Sequence, residues 1–286
     1  MTPFDRLAAA EARGQFAAEV SRPDVALRLA RAALLVGKEE EPRAFEVERC
    51  LARLDVMGEE ARARLEGRDQ YSTRVEALNR YLFEEQGFAG NVADYYDPRN
   101  SMLHRVLERR LGIPITLSIV YMEVGLRAGV RVEAVGLPGH FIVRAYEREG
   151  AEGTLVDPFN RKVTDEEECG QRISGIYDGA IELGPEHLRA TGVRATLARV
   201  LGNLKAVYVQ AQLFRRALAA VERILLVTPN DLEERRDRGM LLAQLKRMSE
   251  AIADTQTYLN LAPDAPDADS VREQLKKMQI RLAMLN

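Results

Sequence analysis

Three features of the sequence predict an α+β fold. An apolar helix opens at Pro114, and short segments with strand alternation follow it between Val130 and Val156. Turn residues separate those segments closely, so they are expected to pair as an antiparallel meander and not through crossovers. Helical patterning precedes this block and resumes after it, where it repeats at a fixed period.

Residues 4–20 read as a first helix. Ser21-Arg22-Pro23-Asp24 reads as a restart, with a Ser cap, an early Pro and an acid in the first turn. The helix it opens places Val25, Leu27, Leu29, Ala30 and Ala33 on its apolar side. Gly37 and Glu39-Glu40-Glu41-Pro42 are expected to break it. The next helix carries Phe45, Val47, Cys50, Leu51, Leu54 and Val56 at helical spacing, with Cys50 as a small buried hydrophobe. A further helix over 71–86 stops at Gly87.

From Phe88 to Ser101 the chain is dense in Gly, Asn, Asp and Tyr. Polar side chains in such a loop either cap the next helix or line one wall of a cleft. Asn91, Asp94, Tyr95, Tyr96, Asp97 and Asn100 are the candidates for that wall. Residues 101–111 form a helix stopped by Gly112. Pro114 opens the next from its first turn, where a Pro loses no hydrogen bond. Thr116 and Ser118 lie in that opening turn, and Ser118 joins the cleft candidates. The helix is apolar apart from Glu123, which marks it as buried, and Gly129 ends it.

Val130 to Val135 alternates as a half-buried strand, Pro138-Gly139 turns the chain, and strands follow at 141–146 and 153–156. His140 stands at the start of one strand and Asp157 at the end of the next. That arrangement can hold an imidazole in one tautomer for acid–base work. Thr164-Asp165-Glu166-Glu167 matches a capping box and opens a short helix with Cys169 at its end. Acidic neighbours raise a thiol pKa, so Cys169 is a poor nucleophile.

After Thr191 the chain is helical throughout. Tyr208, Ala217, Leu218, Leu225 and Pro229 recur as Leu242, Ala251, Ile252, Leu259 and Pro263, a shift of 34. That is the tetratricopeptide period. A last helix, 270–284, is expected to cap the open apolar end.

Composition excludes several function classes. The chain is 46% hydrophobic and 30% charged, which is ordinary for a globular protein. A net charge of −3 provides no general basic field, so no nucleic-acid partner is expected. No signal peptide or bilayer-length apolar run is evident, and a cytoplasmic, membrane-free location is expected. The two cysteines form no disulfide or metal framework. Asp94, Asp97, His104 and His140 match no established ligand spacing, so no metal or cofactor is expected.

The strings from Tyr81 to Asn91, Asp94 to Ser101, Gly112 to Ser118 and Gly136 to Phe141 resemble the SirB family of transglutaminase-like proteins. The resemblance covers residues 20–170, and the repeats fit the same family arrangement. It implies a papain-related core, a central helix packed on an antiparallel sheet, flanked by N-terminal helices and a C-terminal all-α tetratricopeptide region. The division it suggests is 1–70, 71–190 and 191–286. It also implies a Cys–His–Asp site: His140 matches the His position, Asp157 the Asp position, and the Cys position falls around Thr116. This sequence carries no Cys there. A Thr hydroxyl lacks a thiol's acidity and needs a strong adjacent base.

Two functions are therefore expected. In one, a catalytically degenerate transglutaminase-like protein, a pseudoenzyme, binds a protein or peptide as an adaptor through its cleft and its repeats. In the other, a hydrolase or acyl-transfer enzyme uses His140 as general base and Asp157 as its orienter, with water or Thr116 as nucleophile.

Overall fold

The computed structural model describes residues 2–66, 71–146 and 152–284. The expected boundary at residue 70 lies outside the described residues. The chain forms two compact units, Met1–Val200 and Leu201–Asn286.

The first unit begins with α1 (Pro3–Val20), whose N-terminus carries a capping box between Thr2 and Asp5. The expected restart at Ser21 is only a single 3₁₀ turn, Asp24–Ala26. The helix α2 begins later, at Leu29, and runs to Glu40. Val25 is accordingly 99% exposed and belongs to no apolar face. The α2 N-terminus has no cap of its own. The carboxylate of Glu123, 93 residues on, accepts the Ala30 N–H at 3.2 Å.

Gly37 does not break α2. A Cβ at that position would overlap Nδ1 of His104 and lie 2.6 Å from its Cε1. The glycine is a point of close approach for that ring, and the helix continues through it. Next come α3 (Val47–Leu65) and α4 (Tyr71–Asn79), extended by a π turn, Arg80–Glu85. Val56, expected on the apolar side of α3, is 52% exposed.

Two-residue strands β1 (Ala89–Gly90) and β2 (Leu111–Gly112) pair in parallel around α5 (Leu103–Arg109). The helix α6 (Pro114–Arg127) follows, with Pro114 in its first turn and Gly129 at φ +80° just past its end. Ten of its residues are buried, as its unbroken apolar character requires. It packs on β3 (Arg131–Val135) and β4 (Ile142–Tyr146).

The sheet continues with β5 (Thr154–Asp157) and β6 (Lys162–Thr164) in the order β3-β4-β5-β6, antiparallel throughout. Thr164 thus ends a strand and does not cap a helix. Asp165 caps α7 (Glu166–Ile176) by accepting the Glu168 N–H at 2.8 Å. Because α7 runs on to Ile176, Cys169 lies within it and not at its end.

The helix α8 spans Val193–Gln210. In the second unit follow α9 (Phe214–Val227), α10 (Leu232–Gln244), α11 (Met248–Leu261) and α12 (Ala268–Ala283), each packed on the next. The repeat is exact in the backbone. The starts of α9 and α11, Phe214 and Met248, differ by the expected 34 residues. So do the two left-handed residues that precede them, Gln212 and Lys246. Ala217 and Ala251, which recur in phase, are both fully buried at the helix contacts.

Candidate functional site

The sheet register assembles the site. Val143 on β4 pairs with Val156 on β5. Stepping back from Val143 to His140 therefore runs alongside stepping forward from Val156 to Asp157. Both side chains are buried, and His140 Nε2 lies 2.7 Å from Asp157 Oδ2.

Asp157 is held from several sides. Its Oδ1 accepts the N–H groups of Phe159 and Asn160, each at 3.1 Å. Its Oδ2 also accepts Asn160 Nδ2 at 2.7 Å, and Arg172 approaches to 3.8 Å. Burial opposes ionisation of this carboxyl, but the His140 contact and the Asn160 donors outweigh it and hold its pKa below the usual carboxylate value. An ionised Asp157 fixes the imidazole with its proton on Nε2 and its lone pair on Nδ1. Nδ1 makes no hydrogen bond among the described residues, and His140 lines a cavity of about 460 Å³. The chemistry available is that of a general base.

The nucleophile position offers nothing comparable. Thr116 is 1% exposed. Its Oγ1 donates to the Asn100 carbonyl at 2.7 Å and accepts the Ile113 N–H at 3.2 Å, which closes the turn that opens α6. No hydrogen bond joins it to His140. Ile115, beside it, is also buried. Ser118 lies fully inside α6's buried surface with no partner for its Oγ, so it lines no open cleft.

The 88–101 loop divides its candidates in two. Asn91, Asp97 and Asn100 are buried and hold the loop itself. Asn91 Nδ2 donates to Asn100 Oδ1 at 3.0 Å, and Asn100 Nδ2 donates to the carbonyls of Asp94 and Tyr95. Asp97 caps the following 3₁₀ turn through the Arg99 N–H and pairs with Arg99 and Arg109. Burial disfavours its charge, yet these arginines keep its pKa low. Asp94, Tyr95 and Tyr96 are exposed.

One ring connects this loop to the dyad. Phe159 meets Tyr95 edge-on at 5.9 Å and His140 edge-on at 6.4 Å. It covers Gly90 so closely that a Cβ there would lie 2.6 Å from the ring. An apolar side chain thus stands between the imidazole strand and the loop. It was not a candidate from sequence, where Phe159 reads only as the residue after Asp157-Pro158.

Two further residues join the site: Cys169, which the sequence shows as a poor nucleophile but does not place beside His140, and Arg199, which the sequence does not single out. Cys169 lies in the same cavity of about 460 Å³ as His140, Asp157 and Arg172. The short turn between β5 and β6 returns the chain so that α7 covers Asp157. Its thiol makes no hydrogen bond to the imidazole, and burial, with Asp157 and Asp165 nearby, pushes its pKa up. Arg199 donates from one guanidinium nitrogen to the carbonyls of Leu137 and His140, both at 2.7 Å. It fixes the turn that presents the imidazole. The contact spans 59 residues and leaves no local signal.

The second unit has its own recess of about 580 Å³, lined by Val209, Phe214, Met240 and Leu241 with Lys205 and Asp237 at its side. Among the described residues no three His, Cys, Asp or Glu side chains could hold a metal ion. No described helix is long and apolar enough to cross a membrane.

Comparison with known proteins agrees with this architecture. Residues 48–202 match the transglutaminase-like superfamily, and residues 204–276 match the tetratricopeptide repeat. The chain is 36% identical to a UPF0162 protein of Xylella fastidiosa over 256 residues, 88% of this chain and 90% of that protein. It is 26% identical to Protein SirB1 of Salmonella typhimurium over 236 residues, 82% of this chain and 86% of that one. A segment of 135 residues, 46% of this chain, is 35% identical to F-box only protein 21 of Mus musculus, and covers 21% of that protein.

Proposed function

Because the chain belongs to the SirB family of transglutaminase-like proteins and carries tetratricopeptide repeats, we propose that it is a catalytically degenerate member acting as a regulatory, peptide-binding adaptor. The observation that carries this reading is the mismatch at the site. The acid–base pair is intact, whereas the side chains opening α6 supply no nucleophile: Thr116 is bound to Asn100 and Ile113. Burial pushes the pKa of the thiol in the cavity up, away from a nucleophilic thiolate. Binding would use the surface beside His140 and the recess between α8 and α10, a face that stacked repeat helices commonly present to peptides. A cytoplasmic location and the division at about residues 70 and 190 are parts of the same proposal.

A second reading is favoured by one observation: His140, held by Asp157 through Nε2, lines a cavity and has no hydrogen bond at Nδ1 among the described residues. A base oriented by an ionised carboxylate can activate water, which would make the protein an amide hydrolase without a covalent intermediate.

The experiment compares wild type with His140→Ala. Amide hydrolysis and glutamine–amine transfer are assayed, and peptide binding is measured by display selection. Peptide binding that survives in both forms, with no turnover in either, supports the adaptor. Turnover by wild type that His140→Ala abolishes supports the hydrolase.

A further inference from the structure

Away from His140, the first unit contains a groove of about 720 Å³ between α3, the segment leading into it, and α5. Its apolar lining includes Phe45, Val56 and Leu107, and Cys50 lies half-buried in it. One wall is rigid: the His104 ring stacks on Phe45 with centroids 3.9 Å apart and planes 10° from parallel.

The charges around it do not balance. Glu41 is taken by His104 and Arg105, and Glu108 by Arg105. Glu46 pairs with Lys38, and Asp5 pairs with Arg43. These pairings occupy the carboxylates beside the groove. Arg49 and Arg53, one helical turn apart on α3 and both lining the groove, are exposed and have no carboxylate partner among the described residues. Their field reaches further: Arg110, nearby, has its pKa depressed first by burial and then by the charge of Arg53. Two free guanidinium groups over an apolar floor, in a protein whose net charge is −3, form a local site of opposite sign to the whole.

We infer that this groove docks an acidic, amphipathic peptide segment of a partner protein, with apolar side chains on Phe45 and Val56 and carboxylates on Arg49 and Arg53. Arginine forks suit carboxylates, and half-exposed apolar side chains such as Val56 suit an inserted anchor. A nucleic acid fits less well, because two free arginines give little phosphate contact and the Phe45 ring is already stacked on His104.

The test uses the full chain and a phage-displayed random peptide library. Cys50 supplies the readout: it is half-buried in the groove whereas Cys169 is buried, and mass spectrometry of the digested protein reports alkylation at each thiol separately. The expected result is enrichment of peptides that combine Asp or Glu with large apolar residues and that protect Cys50 from alkylation. Affinity should fall about tenfold for the exposed double variant Arg49→Ala with Arg53→Ala. It should also fall for Val56→Glu, which places a charge on the floor. The inference is overturned if no peptide protects Cys50, or if the selected peptides are neutral or basic. It is equally overturned if they bind the arginine variant unchanged, or if an oligothymidine strand protects Cys50 as well as they do.

Discussion

The hydroxyl of Thr116, around which the family resemblance places the nucleophile, is bonded to the carbonyl of Asn100 at 2.7 Å. The same oxygen accepts the Ile113 N–H, so one side chain joins the 88–101 loop to the start of α6. Thr116→Val keeps the shape and removes both bonds. It should cost about 1–3 kcal/mol, because the Ile113 N–H and the Asn100 carbonyl remain buried without their partner. Urea denaturation measures it, and an unchanged midpoint would refute the bonding scheme.

Asp157 predicts an acid limb in the stability profile. Its pKa is lower folded than unfolded, where the ordinary value is 3.8. The unfolded chain therefore takes up the proton first as pH falls. The stabilisation is complete above the ordinary value and is lost as pH drops through the folded one. Asp157→Asn should lower stability at pH 7 by about 1–3 kcal/mol and flatten the decline below pH ~4. Denaturation midpoints across that range decide the matter.

His104 gives a second pH dependence in a different window. Burial depresses its pKa from the ordinary 6.5, although Glu41 pulls the other way. The folded state resists the proton that the unfolded state accepts, so the stabilisation present above pH 6.5 is lost as pH falls below it. His104→Phe retains the stack on Phe45 and cannot titrate. Its stability should change less than that of wild type between pH ~7 and ~5. A wild-type profile that is flat over the same interval would contradict the depressed value.

Gly37 makes a prediction with the opposite sign to the usual rule. Glycine to alanine within a helix normally stabilises by about 0.5–1 kcal/mol. Here the added methyl would run into the His104 ring, so Gly37→Ala should destabilise by about 1–3 kcal/mol. Combining it with His104→Ala should recover much of the loss. Additive losses in that double-mutant cycle would show that the ring is not what the methyl meets.

Much of the fold was legible because its signals are local. Pro114 and Gly129 bracket α6, and alternation marks β3 and β4. A phase of 34 residues marks the helical pairs, down to the backbone geometry at Gln212 and Lys246. What was not legible depends on residues far apart in sequence. Gly37 reads as a breaker until the ring opposite it is known. Ser21 reads as a cap, although the helix it would open starts eight residues later, under a carboxylate borrowed from α6. Within the site, His140 and Asp157 could be paired from strand order alone. Phe159, Cys169 and Arg199 could not, since their relation to the imidazole arises from a turn, a returning helix and a contact across 59 residues. The expectation for Ser118 failed because the opening turn of α6 faces inward on more sides than its spacing implies.

Glu123 has a meaning for anyone dissecting the chain. Its carboxylate sits on α6 yet serves the backbone of α2, and Arg127 clasps it from the next turn. A fragment starting after α3 would strand that acid against a bare flank of the central helix, with the packing surface of α3 stripped away as well. The leading helices are thus a structural lining of the core, and a shortened polypeptide beginning near residue 71 should unfold at a lower urea concentration than the intact one.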